Sequence, residues 1–425
     1  MELYMSGMNN KTTIKYEPVE TVLKRYMDEL GDTTVDFEEI NVEESLSRIL
    51  YDDIVAQFDL PTFNRSLVDG YAVNSRGIAL ADTDSPVILE VMGESQAGIP
   101  TQLAITKNQA VKISTGSLLP ENADSVVLAE CAQLEDNKVK IFKSVLMGEN
   151  IVQKGEDINA GQMFIRKKRK IRPQDIGGII GLGYKKIRVY KKPVISVIPT
   201  GSELVSIDET PEPGQLIETN SHVLKGLIKQ LGGTSIIKPI IKDSLDLLKK
   251  SIIDSLKDSD VVIISGGSAF GTKDYTLNAI QSIPNSKIIA HGTAMRPAKH
   301  TLLAFIDGKP VIGLPGHPVS SGTSFHTFVK PILIQLAGNP RSFWQERKDN
   351  VKLDAILAKD VESPKGVEDY IRVRLVLLDN GKITAYPYAG KSSFLSTLVK
   401  AHGTIKLTPD CTKLYAGDRV QVTLF

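Results

Sequence analysis

Three segments in the middle of the sequence place glycine directly after an apolar run of strand length. They are IPTGSEL (198–204), ISGGSAFGTKDY (264–275) and GLPGHPVSSG (313–322). Glycine has no Cβ, so backbone N–H groups at Gly266, Gly267 and Gly316 can close on an anion. Pro318, after Pro315 and Gly316, suits the first position of a helix, and a helix N-terminus favours phosphate. Carboxylates lie in or beside the same loops at Glu203, Asp243 and Asp274. Carboxylates next to a phosphate hold Mg²⁺, which bridges phosphate oxygens. Asp243 serves equally well as a helix N-cap, whereas Asp274, after a glycine loop, weighs toward function. Standard nucleotide motifs do not account for these loops. Gly266 to Lys273 has the outline of a P-loop, but Thr precedes Lys, and no G-x-G-x-x-G follows a strand.

Residues 193–335 alternate strand and helix patterns around these loops. PVISVIP, DVVIIS and PVIGLP read as buried strands. Between the first two, Val223, Leu224, Leu227, Ile228 and Leu231 share a helical face, with Asn220 or Ser221 as N-cap and Gly232 as stop. Leu245, Leu248, Ile252 and Leu256 mark another helix, opened by Asp243 or Ser244. The pattern predicts an α/β domain with a mainly parallel sheet, and ligands bind beyond the carboxyl ends of such strands. Residues 17–30 predict an amphipathic helix stopped by Gly31, whose apolar stripe needs a partner in this chain or a second one. Residues 85–150 read as a small all-β unit, and 171–184 as a short helix. After Pro340 the texture is β again. Ile371, Val373, Leu375 and Leu377 alternate with Arg372 and Arg374, Asp379-Asn380-Gly381 signals a hairpin, and Val420, Val422 and Leu424 alternate near the end.

Composition excludes several classes. With 425 residues, about three domains are expected. The 41% hydrophobic and 24% charged content is that of a globular protein, and the net charge of +1 supplies no field for nucleic acid or an anionic membrane. The basic run Arg166–Lys170 has no interleaved aromatics and reads as a solvated strand or turn face. Cys131 and Cys411 fit neither a disulfide framework nor a zinc site. No apolar run approaches the roughly 20 residues of a membrane span, and the start lacks a secretory signal, so a cytoplasmic location is expected.

Read alone, LPTFNRSLVDGYAV (60–73), STGSLLPENADSVV (114–127) and KGEDINAG (154–161) are turns. Together with PTGSELV, GQLIETN, SGGSAFGTKDYT, MRPAKH and LPGHPVS they resemble, in order and separation, the molybdopterin molybdenumtransferases, which include MoeA-type enzymes and the C-terminal part of gephyrin. The resemblance covers nearly the whole chain. It implies a multi-domain α/β plus β homodimer. The expected parts are a linker domain of two segments (1–54 and 149–190), an inserted β domain (55–148), a three-layer α/β molybdopterin-binding domain (191–338) and a C-terminal β domain (339–425). It implies that molybdate and adenylylated molybdopterin are the substrates, that AMP leaves, that Mg²⁺ is required, and that contacts with the adenylyltransferase and acceptor molybdoenzymes are transient. Neither nucleic acid nor membrane is implied.

Carried over by motif, Asp69, Thr115 and Asp157 are catalytic, with Asp69 and Thr115 reaching the site across a cleft or from the other subunit. Glu203 and Asp274 hold Mg²⁺. Asp243, Arg296, Lys299, Ser392, the amides of Gly266, Gly267 and Gly316, and the loop residues Pro315 and Pro318 receive substrate. The sequence departs from the family at Ser202, Arg296, Ala298, His300 and His317. A tungsten-inserting equivalent, a non-catalytic carrier or scaffold on the same fold, and a Mg²⁺-dependent nucleotide hydrolase are the alternatives.

Overall fold

The computed structural model describes residues 16–267, 274–339, 351–379, 381–388 and 390–425. The hairpin tip at Asn380 and part of the second glycine loop lie outside them.

The parallel core is a six-stranded sheet. Its order is Thr234–Ile237, Val194–Pro199, Val261–Ser265, Lys309–Leu314, Leu302–Ile306, Ser286–His291. The first four strands are mutually parallel. Leu302–Ile306 runs antiparallel to both neighbours, so the edge strand Ser286–His291 points the same way as the parallel set. The carboxyl ends of five strands therefore emerge at one rim. The connection from His291 to Leu302, which carries Arg296 and Lys299, is also a rim segment.

The central strands are apolar throughout because both faces are covered. Ile198, Val262 and Ile264 pack under Leu248, Ile252 and Ile280 on one face. Ile195, Ile263 and Ile312 pack under Leu224, Ile228, Phe325 and Phe328 on the other.

The helix Val19–Leu30 joins that second core, with Val22, Leu23 and Tyr26 fully buried. Tyr26 donates to Ala304 O, and its ring lies 4.8 Å from that of Phe305. Burying each such side chain is worth about 1.5–3 kcal/mol. The stripe is satisfied within the chain, and the helix packs with the α/β unit rather than with the linker segments to which residues 1–54 were assigned. Gly31, at φ 58, stops it as expected.

Two other chain segments build a separate core. Val42, Leu50 and Ile54 pack with Ile165, Ile179, Leu182 and Val189. The strand Phe37–Asn41 pairs with Lys186–Tyr190, and the short helix is Pro173–Gly181. Between these segments lies a second six-stranded sheet, in which Gly70–Val73 is flanked by Gln109–Ile113 and Ser125–Leu128. The C-terminal strands close into a barrel, since Glu368–Leu377 pairs with both Ile383–Pro387 and Gly403–Leu407. The basic run forms an exposed turn pinned by Lys167 N–H to Asp53 and Arg169 to Asp175. Cys131 and Cys411 are free thiols. No described helix is long and apolar enough to cross a membrane.

Candidate functional site

The rim brings the glycine loops into contact. A Cβ on Gly266 would sit 2.2 Å from Thr200 O, and one on Gly267 would sit 2.7 Å from Thr276 Oγ1. Gly266 and Gly267 have φ of 104 and 67, which favours glycine. Gly316 approaches from the third loop, with a constructed Cβ 3.6 Å from Gly266 Cα. Gly266 N–H donates to Leu314 O, and Thr200 N–H to Ser265 O. Asn220 Nδ2 donates to Gly316 O at 2.8 Å, clamping the third loop to the start of the helix Asn220–Gln230.

Asn220 and Ser221 are thus not the cap of that helix. Thr219 occupies the N-cap position without a side-chain cap, and Glu218 just before it accepts from Ser221 N–H and Oγ–H. Pro318 does open a helix, Pro318–Ser324, behind His317.

The acidic residues differ from one another. Asp274 is buried, at 5% exposure. Its Oδ1 accepts from Leu277 N–H at 2.9 Å as the N-cap of the helix Tyr275–Gln281, and its Oδ2 lies 2.9 Å from His291 Nε2. Among the described residues no Lys or Arg pairs with it. Each carboxylate oxygen keeps a lone pair beyond the bonds to Leu277 and His291. Glu203 is exposed, its carboxylate folded back over Gly201. Asp243 is exposed, and its backbone N–H donates to Ser202 Oγ at 3.2 Å, while Ser244 caps the following helix.

The described residues contain no group of three His, Cys, Asp or Glu placed to hold a metal by themselves. Mg²⁺ rarely takes an all-protein cage. It is held by one or two carboxylates plus substrate phosphates and water, and Asp274 beside the glycine cradle fits that.

The cations also differ from expectation. Arg296 Nη2 lies 2.6 Å from the buried Asp369 carboxylate and donates to Glu362 O. It ties the rim to the barrel instead of waiting for an anion. Lys299 Nζ lies 4.1 Å from the centroid of the Tyr16 ring. Burial, aided by the Lys299 and His291 charges and opposed by Asp274, holds His300 below the usual histidine range. Ser392 Oγ meets His317 Nδ1 at 2.8 Å, and Ser392 O accepts from Val319 N–H at 3.2 Å, fastening the third loop to the C-terminal unit.

A second constellation lies in the inserted sheet. Gly70 pairs with Ile113, and just past the end of this pairing Asp69 meets Thr115, 46 positions away in sequence. Asp69 Oδ1 accepts from Thr115 N–H at 2.7 Å and Oγ1–H at 3.1 Å, which lowers the Asp69 pKa from the ordinary value. Gly70 is required because a Cβ there would lie 1.8 Å from Val127 O. Asp157 is exposed on a loop whose N–H groups bind Leu60 O, Pro61 O and Asn64 Oδ1. Among the described residues no hydrogen bond or ion pair joins Asp69, Thr115 or Asp157 to the rim.

Comparison with known proteins covers most of the chain. Residues 17–183 match the model described as MoeA N-terminal region (domain I and II), residues 196–335 that of a probable molybdopterin binding domain, and residues 354–425 that of the MoeA C-terminal region (domain IV). The chain belongs to the MoeA family of molybdopterin molybdenumtransferases.

Two curated members bear the name molybdopterin molybdenumtransferase. That of Bacillus subtilis is 32% identical over 96% of this chain and 94% of its own. That of Staphylococcus epidermidis is 34% identical over 91% and 90%. The molybdopterin biosynthesis MoeA protein of Pyrococcus horikoshii has a solved structure that superposes with a TM-score of 0.84 at 31% identity, covering 96% of this chain and 99% of that one. Membership makes the chain a transferase of molybdenum cofactor biosynthesis, with the α/β plus β architecture expected.

Two residues escaped the sequence reading. His291 carries no local signal, because its partner lies 17 residues away and the strand that delivers it is short. Arg372, in the alternating run of the strand Glu368–Leu377, is only 8% exposed, and its Nε has no hydrogen-bond partner among the described residues. It lines a cavity of about 1040 Å³ between the helix Asn220–Gln230, the helical segment from Pro318 and the barrel.

Proposed function

We propose that the chain inserts molybdenum from molybdate into adenylylated molybdopterin, with Mg²⁺-dependent release of AMP. The observation that carries this reading is the meeting of Gly266, Gly267 and Gly316 at one sheet rim, on which the buried carboxylate of Asp274 also lies. Backbone N–H groups of these loops and the N-terminus of the helix at Pro318 receive the diphosphate. Lys299 and Ser392 contact the rest of the substrate.

Asp274 and Glu203 would hold Mg²⁺, and the ion would supply positive charge for the phosphate that departs with AMP. Asp274 supplies a fixed carboxylate; exposed Glu203 is free to swing from Gly201. Asp243 orients the first loop through Ser202. Asp69, held ionised by Thr115, and Asp157 orient molybdate or water from the inserted unit.

That unit reaches the rim of a second copy in a homodimer. Leu46, Phe164 and Ile180, exposed in the linker segments, offer apolar surface for such an interface. The finished cofactor passes to acceptor molybdoenzymes, and the substrate arrives from the adenylyltransferase.

Incubation with adenylylated molybdopterin, Mg²⁺ and molybdate tests the reading, with AMP and active cofactor measured. Stoichiometric binding without AMP release would make the chain a carrier. Repeating the assay with tungstate reports the choice of metal.

A further inference from the structure

The edge strand Ser286–His291 ends in an imidazole that the reaction scheme above does not use. Capping of the helix Tyr275–Gln281 needs only Asp274 Oδ1, which accepts from Leu277 N–H. The second oxygen is held separately by His291 Nε2 at 2.9 Å, from a strand on the far side of the Leu302–Ile306 hairpin partner. Both side chains are largely covered, Asp274 at 6% and His291 at 20% side-chain exposure. An ionised carboxylate only accepts, so Nε2 carries the hydrogen.

We infer that His291 is the positioning residue of the metal-binding carboxylate. It fixes the plane of Asp274 from the side opposite the cap and leaves one lone pair on each oxygen for the cation. Two donors from two different elements remove the χ2 freedom that a carboxylate held at one oxygen retains. Groups that orient a metal-ligating side chain commonly contribute about 10–100-fold to metal affinity.

This inference rests on the Mg²⁺ reading of Asp274, and the test separates the two. Mn²⁺ serves as the probe, its binding to the full chain measured by electron paramagnetic resonance with AMP present and with thermal denaturation as the folding control. His291→Leu is expected to weaken Mn²⁺ binding about tenfold. His291→Gln, whose side-chain amide can still donate to Oδ2, is expected to stay within about threefold of the parent. If His291→Leu disturbs folding, His291→Asn, with its donor too short to reach, replaces it and must also lose affinity.

Equal Mn²⁺ affinity in the parent and the His291→Leu or His291→Asn protein, alongside a loss in Asp274→Asn, would overturn the role of His291 and leave the metal site standing. Unchanged affinity in Asp274→Asn would overturn both. Equal losses in His291→Gln and His291→Leu would reduce His291 to a packing residue.

Discussion

Gly266→Ala probes the meeting of the loops without touching a charged group. The added Cβ would fall 2.2 Å from Thr200 O and 3.3 Å from its carbonyl carbon. Thr200 cannot yield easily. It is 3% exposed, its N–H is bonded to Ser265 O at 2.9 Å, and it bridges to Ile241. The backbone at 266, with φ 104, also lies where a side-chain-bearing residue is strained by about 1–3 kcal/mol. Overpacking against fixed backbone adds about 1–3 kcal/mol. The sum, roughly 2–6 kcal/mol, must either destabilise the α/β unit or push the first two loops apart.

Gly316→Ala is the matched control. Its Cβ would meet only Gly266 Cα at 3.6 Å, an ordinary contact, so less than about 1 kcal/mol is expected. Calorimetric unfolding of the α/β transition and AMP affinity by titration calorimetry read the two effects. Gly266→Ala should lower the transition or weaken AMP, and Gly316→Ala should disturb stability far less. Identical unfolding and identical AMP affinity for Gly266→Ala and the parent would refute the packing of loop on loop.

Further outcomes follow from other residues. Thr115→Val removes the hydroxyl donor to Asp69; since that bond favours the ionised form, the Asp69 carboxylate should titrate at a higher pH, as read by ¹³C NMR. Arg372→Met replaces a buried guanidinium whose Nε lacks an acceptor and should raise barrel stability by about 1 kcal/mol or more in denaturant, whereas a loss would reveal a partner for that charge. Ile180→Lys places a charge on the exposed apolar surface of the linker segments and should abolish the dimerisation proposed above, read as a shift to monomer in analytical ultracentrifugation.

The parallel part of the sheet was legible because strands covered on both faces must be apolar throughout, as PVISVIP and DVVIIS are. The glycines after them were legible for the same reason, since strand ends at one rim need close backbone approach. The direction of Ser286–His291 was not, because it follows from two successive antiparallel pairings that no local pattern encodes. That direction alone brings His291 to Asp274. Arg296 was assigned to an anion because its charge is visible in sequence, while its buried partner Asp369 is 73 positions away and contributed by the barrel. Nothing in the alternating run separates buried Arg372 from exposed Arg374, because the difference comes from the helices of the α/β unit that face the barrel across the cavity. Asp69 and Thr115 were named by motif, and only strand pairing explains why they meet.

The most direct measurement is a structure of the protein with adenylylated molybdopterin and Mg²⁺ bound. The diphosphate should lie within hydrogen-bond reach of the Gly266, Gly267 and Gly316 amides, with the cation bridging it to Asp274. A diphosphate seated instead in the cavity beside Arg372, with Asp274 still bonded only to Leu277 and His291, would contradict the account.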